Sequence, residues 1–579
     1  MKKVKLVALS FVTLFACSAV FAGCGGSRGS GKTQIGVSIY NGGHGTAWVE
    51  SLAAKFMEEN PEYNEKYEIV FYPEKKSETD LISEMGMSGS TTQAAITAAN
   101  KFQSGIYNKN CFEDLSDIIS RKVDGNDKTI KDKILNYDLW SEIYSNRGNG
   151  MYALPFADCI MGLVIDHQLF IDKGWYEFAS AADAAELAAQ GITYTEQGGK
   201  LIFASSTGKV NYKQGDKILS KGKDGKFGTY DDGQPLDIAG WELMLDTIYD
   251  SGSKCFLSSG KAADYTDFIL YALFAQLEGT DGWDAYFNYN SNGSEINFIT
   301  SPSPAQMTVE NGYRINEIEG VYKAYEFMSK YMNPSTNEWM HPACVDSQVT
   351  HIDAQNYFLL GLGNEGHTTT PQTAMLVEGA WWEYEASAMF AELAKSDESR
   401  GYGKREYRYM LLPDMVGQKS EKSCFASCET GVMLIGKDAN SERLQCTKDF
   451  IAYLLKDDSL SYFTGVTGAL MMYDYEIKDS DYAKLTPFAK NMIELYQDQD
   501  NIEIVRSRLS CLQSPLSYVS ARGSVDIMKP KFGGVTGGSA IKVVNSHTIS
   551  EIRTGLIGFY KQSDWQKYIQ AARDNGFDI

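Results

Sequence analysis

Long apolar runs are missing from this sequence once its first two dozen residues are passed. None of the later ones approaches the ~20 residues that a membrane-spanning helix requires. Cysteine is sparse, with ten in 579 residues, too few at that length to build a disulfide scaffold. No CxxC pair suggests a structural zinc. Cys111, Cys159, Cys255, Cys344, Cys424, Cys428, Cys446 and Cys511 read mostly as buried apolar thiols, although Cys424 and Cys428 are close enough in sequence to pair or to bind something. Positive charge is also short: 54 Lys and Arg face 75 Asp and Glu, for a net charge of −21. That balance argues against nucleic acid or an anionic lipid surface as the main partner. Repeats and low-complexity tracts are absent, as is the HExxH signature.

The start of the chain reads differently. Lys2, Lys3 and Lys5 precede the apolar run 6–15, and small residues lead to Phe21-Ala22-Gly23-Cys24. Residues 1–23 are expected to be an export signal, outside the folded body. Small residues before a cysteine, followed by Gly25-Gly26-Ser27, resemble a bacterial lipoprotein lipobox. The resemblance implies that Cys24 is lipidated and becomes the first residue, although Phe21 stands where the family prefers leucine. Cys17, after Leu14-Phe15-Ala16, has a similar context but would leave an apolar core of roughly eleven residues, so Cys24 is favoured over Cys17 and over ordinary secretion. Gly25–Lys32 is flexible by composition, and 24–32 would be a tether between lipid and body. Removing 1–23 takes away three lysines and no acids, which leaves −24.

Beyond the tether the pattern alternates strand and helix. TQIGVSIY, 33–40, is expected to open a sheet and to run into the turn Asn41-Gly42-Gly43-His44-Gly45. From Thr46, apolar residues recur at Trp48, Leu52, Ala53 and Phe56, a helical spacing. YEIVFY, 67–72, reads as the next strand, 81–87 as helical, and 94–99 as a small-residue strand ending at Asn100. Strand, helix, strand points to a parallel sheet with a ligand crevice at the carboxyl ends of its strands. Asn41, His44 and Asn100 fall at those ends. The logic returns at 431–435, followed by a helix through Leu454.

The order of segments then becomes recognisable. The Asn41–Gly45 turn comes first. Met151-Tyr-Ala-Leu-Pro155 follows, then 162–170, then Ala354-Gln-Asn-Tyr-Phe358 with Gly361. Ala374-Met-Leu-Val-Glu-Gly-Ala-Trp381, 409–413 and 431–435 complete the series, with Phe463-Thr-Gly465-Val-Thr-Gly468 after them. Taken in sequence these resemble an extracellular solute-binding protein of an ABC importer, of the sugar-binding family that includes maltodextrin-binding proteins, over residues 33–579. The resemblance implies a periplasmic-binding-protein type II-like fold, α/β, with two discontinuous lobes joined by a hinge. Lobe 1 would take 33–155 plus 414–465, and lobe 2 would take 156–410 plus 466–579. It also implies a monomer held on the outer face of the bacterial membrane, a sugar as ligand and a permease as partner.

A pyranose has apolar faces and a hydroxyl rim, so a site for it pairs aromatic rings with Asp, Glu, Asn or Arg. The stretch MLVEGAWWEYEA, 375–386, offers both. Trp381 occupies the position where the resemblance places a stacking aromatic. If the segment is extended, Trp382 points to the opposite side, and for it ligand contact and core packing stay equally open. Glu383 is a candidate rim acceptor. Asp158 lies where relatives offer a polar side chain, with Cys159 in the neighbouring position so that the carboxylate could be shifted by one. Tyr265 and Tyr518 come from regions where relatives supply aromatics, and His44 is either a ligand donor or a helix-start contact.

The stretch Gly222–Gly233 carries Asp224, Asp231 and Asp232 among glycines. A Ca2+ loop is one reading, but Lys226 and Gly228 stand where acids belong, and a turn-rich surface insertion is favoured. No cofactor is required. An exported glycan hydrolase or a surface adhesion module remain as alternatives to a receptor. The hydrolase would need two opposed carboxylates.

Overall fold

The computed structural model describes residues 31–98, 102, 105–146, 148–197, 200–206, 213–214, 217–366, 368, 370–427, 431–506, 529–532 and 535–576. Thr33–Ile39 passes from two exposed positions into five buried ones, the pattern of a strand covered on both faces. It pairs in parallel with Tyr67–Tyr72 on one side and with Ala94–Thr97 on the other. The order across this first sheet is 67–72, 33–39, 94–97, 432–435, 154–155, with Val432–Ile435 antiparallel to Ala94–Thr97. Helix Ala47–Glu59 buries Trp48, Val49, Leu52, Ala53 and Phe56 on one face, as the 3.6-residue spacing requires.

A second sheet has the order 254–257, 373–379, 160–166, 423–427, 502–506. Every residue of Ile160–Asp166 and of Thr373–Gly379 is buried. Tyr407–Met410 pairs with one end of Ile160–Asp166, while Ala426 and Ser427 pair with the other. Helix Thr266–Phe287 packs over Ser423–Ser427.

The chain crosses between the sheets three times. It leaves the first after Leu154–Pro155 and enters the second at Ile160. It returns between Ser427 and Val432. It crosses again at Leu470–Met471, which pairs antiparallel with Ala157–Asp158. These crossings form the hinge of two discontinuous α/β lobes.

The return crossing differs from the expected one at 414. Ser423–Ser427 pairs with Ile502–Arg506 and with Ile160–Asp166, so 414–427 lies in the second lobe. A fully buried strand reads the same in either sheet, and only its partners decide. An apolar core runs from the first lobe across the hinge to Trp382 and Phe390, a second fills the rest of lobe 2, and the half-buried Trp381 packs against both.

The Gly222–Gly233 stretch is turn-rich, with Gly225, Lys226 and Gly228 exposed, and its far end is buried. Asp231 and Asp232 are 0% and 2% exposed. Asp231 accepts the amides of Lys223 and Asp224 at 2.7 and 3.0 Å, Asp232 that of Gly228 at 2.7 Å, and Asp224 that of Lys226 at 2.7 Å. The carboxylates fold the loop, and no group of three metal-ligating side chains forms among the described residues. Cys111, Cys159, Cys255, Cys344, Cys424 and Cys446 are free and buried. Cys17, Cys24, Cys428 and Cys511 lie outside the described residues. No described helix is long and apolar enough to cross a membrane.

Candidate ligand-binding cleft

Where Thr33–Ile39 ends, the turn 41–45 reverses the chain with Gly43 and Gly45 at positive φ, 57° and 61°. This turn meets the segment 381–385 of the other lobe. The Gly43 amide donates to Glu385 Oε1 at 3.4 Å. A Cβ on Gly43 would lie 3.4 Å from Trp381 Cβ and Cγ, and one on Gly45 would lie 3.2 Å from the Tyr384 ring. Glycine thus lets the two lobes touch backbone to side chain.

His44 projects from the turn into an aromatic corner, with ring centroids 6.0 Å from Phe156 and 5.6 Å from Phe463. Its Nε2 is 3.4 Å from Cys159 Sγ, and its Nδ1 is buried without a partner. Burial lowers its pKa to about 4 against the opposing pull of Glu385, so the ring is neutral at neutral pH.

On the opposite jaw, Thr373–Gly379 ends and the chain turns. Trp381 has helical dihedrals (φ −83°, ψ −12°), and a short helix, Trp382–Glu385, begins after it. The Trp381 indole folds back over Gly379, where a Cβ would come within 2.4 Å of its six-membered ring. Tyr265 stands edge-on to it, 6.0 Å away at 82°, and is also 6.0 Å from His351. The site therefore brings together Trp381, Tyr265 and His44, with Asn41 exposed at the end of the opening strand.

Three expected ligand residues are placed elsewhere. Trp382 is 0% exposed and packs against Phe358, Phe390, Tyr407 and Phe488, because a helical turn, not an extended segment, sends it into the core. Glu383 is 3% exposed and accepts the Thr486 hydroxyl, and burial pushes its pKa up to about 7. Asp158 is 1% exposed, paired with Arg506 and accepting the Ser427 hydroxyl at 2.8 Å, while Cys159 is the residue that reaches His44. Alternation along the crossing strand sends the two side chains to opposite sides. Asn100 and Tyr518 lie outside the described residues.

The polar side of the cleft consists of residues that reading by position missed. Gln355 Nε2 donates to Glu385 Oε2 at 2.8 Å and to Glu378 Oε1 at 3.0 Å, and His351 Nε2 is 3.5 Å from Glu385 Oε1. Burial, then the neighbouring Glu385 charge, pushes Glu378 up to about 8, so it carries a proton at neutral pH. For Glu385 burial works upward too. Hydrogen bonds from His351 and Gln355, the His351 charge and the Gly43 amide outweigh it and hold the carboxyl below its ordinary range. Gln355 was in sight within the Ala354–Phe358 segment, and Glu385 is one helical turn from Trp381.

No family model matches this sequence, and no curated protein does. Among solved structures, the chain is similar to a chitin oligosaccharide binding protein at 13% identity and a TM-score of 0.49, over 94% of this chain and 99% of that one. It is similar to the Thermus thermophilus maltotriose binding protein bound with maltotriose at 12% and 0.47, over 92% and 100%. The third is RafE in complex with raffinose, at 12% and 0.48, over 93% and 100%. The two-lobed architecture of this chain stands on its own strand order and crossings.

Proposed function

We propose that the protein is a solute receptor that captures an oligosaccharide or related sugar between its lobes and presents it to the permease of an ABC importer. The observation that carries this is the position of Trp381, a half-buried indole laid over Gly379 and against Gly43 of the other jaw. Tyr265 beside it extends the aromatic surface, and Glu385 supplies a rim acceptor. An aromatic platform with hydrogen-bonding groups around it suits a molecule with apolar ring faces and a hydroxyl rim. Ligand that touches both jaws only when they are closed selects the closed state by its differential affinity. Lipidation at Cys24, the 24–32 tether, the outer-face location and the permease belong to this reading, as does a monomeric state.

The test is a thermal-shift titration of the exported protein against mono- and oligosaccharides, with product analysis of each mixture. At 100 times its dissociation constant a specific ligand adds about 2.7 kcal/mol of stability. A saturable shift with the glycan recovered intact is the expected result. A cleaved glycan would make the protein a hydrolase, and no shift with any sugar would overturn the sugar reading.

A further inference from the structure

A cavity of about 970 Å³ lies beside the hinge, at the upper end of the range for small-molecule sites. Its wall includes Lys133 of the first lobe, Ile504 and Tyr496 of the second, and Asp158 and Leu470 of the ribbon between them. Trp381, Tyr265, His44 and Glu385 take no part in it. Asp158 lines this cavity while Cys159 reaches His44, so the crossing strand separates it from the cleft.

Three tyrosines, Tyr475, Tyr482 and Tyr496, line the cavity. The Tyr475 hydroxyl bonds that of Thr464 at 2.6 Å and accepts the Met471 amide at 3.2 Å, and the Tyr496 hydroxyl donates to the Asp158 carbonyl at 3.0 Å. Rings held in this way lose little freedom when a ligand packs on them. Tyr482 is 37% exposed, with the Lys490 ammonium 5.3 Å from its ring centroid. Half-buried Ile477 adds apolar wall, and exposed Asn126 and Gln497 offer hydrogen bonds. The charges are largely matched within the wall: Lys133 pairs with Asp457 at 2.5 Å, Lys128 with Asp474 at 2.7 Å, and Arg506 with Asp158. Lys422 against Glu476 and Glu503 leaves one negative charge, too little to select an ionic solute.

We propose that this cavity is a second binding site, for a neutral polyhydroxylated ring compound of mono- to trisaccharide size. It does not require Trp381, so it stands or falls apart from the receptor reading of the cleft.

The experiment titrates neutral mono-, di- and trisaccharides calorimetrically into the wild-type protein, into Trp381→Ala, and into Trp381→Ala carrying in addition Tyr482→Ala or the cavity-filling Ile477→Trp, with the melting temperature of each recorded. Trp381→Ala is expected to retain saturable binding of one equivalent of at least one of these sugars, and Tyr482→Ala to weaken that binding at least about tenfold. Ile477→Trp should block it. Binding by the wild type that disappears in Trp381→Ala overturns the second site and leaves the cleft reading intact. Binding that persists unchanged in both folded double variants places the sugar elsewhere and overturns it as well. Failure of every sugar to bind the wild type removes both readings.

Discussion

Trp381 and Trp382 are adjacent in sequence and opposite in circumstance. Trp382 is sealed among four aromatic rings, whereas Trp381 is half-buried at the seam of the lobes. Replacing Trp382 with Ala is expected to lower stability by about 3–5 kcal/mol, the cost of a large core truncation, read as a lower denaturation midpoint. Trp381→Ala should instead remove most of the ligand affinity at nearly unchanged melting temperature, as for a binding hot spot. Equal affinity in that variant would remove the stacking role. Glu378 gives a pH test. Its folded pKa is raised to about 8 from an ordinary value of 4.5, so the stabilisation from its proton is complete at low pH and is lost as pH rises towards 8. Glu378→Gln cannot lose that proton. Its melting temperature should fall less than that of the wild type between about pH 6 and pH 8. Asp158 and Glu383 show how far residue-level reading reached: both were expected as ligand-binding carboxylates, and strand alternation and a helical turn aim them at Arg506 and Thr486 instead.

At the scale of elements, the strand Thr373–Gly379 and the turn after it set the geometry of the cleft. Gly379 is the base on which the Trp381 indole lies, and a methyl there would meet the ring at 2.4 Å. Gly379→Ala is therefore expected to swing the indole away and to reduce affinity nearly as much as Trp381→Ala, measured in the same titration. An unchanged affinity would show that the ring finds its place by other contacts. The helix His351–Leu360 that carries His351 and Gln355 starts at a capping box, in which Thr350 and Asp353 satisfy each other's backbone amides. The end of strand Thr373–Gly379 is less local, since Gly-Ala-Trp-Trp can continue as a strand or turn into a helix, and here the chain turns at Trp381.

At the scale of the whole molecule, the two jaws meet through the 41–45 turn and the 381–385 segment, and are joined by the ribbon of Ala157–Asp158 with Leu470–Met471. Ligand that closes the jaws should slow amide hydrogen exchange in both contact segments together, Gly43 included, while exchange in the hinge ribbon changes little. Protection confined to one lobe would show that ligand does not bridge them. The largest departure from the expected organisation also belongs to this scale. The return of the chain to the first sheet lies after Ser427, beyond the expected 414, because Ser423–Ser427 is a strand of the second sheet.

The sequence by itself determined the elements whose pattern is local: the opening strand and its glycine turn, the helix after it, and the alternation that makes an α/β protein. Periodicity and turn chemistry act between residues close in the chain, so they can be read there. The tertiary structure alone decided which sheet a fully buried strand joins, that Trp382 is core, that Asp158 is paired with Arg506, and that Glu385 with Gln355 and His351 forms the polar side of the cleft. The pairs behind these assignments are separated by tens to hundreds of positions, as in the 342 between Gly43 and Glu385 and the 30 between Gln355 and Glu385. Burial and charge at such contacts depend on packing across lobes, which no local pattern records.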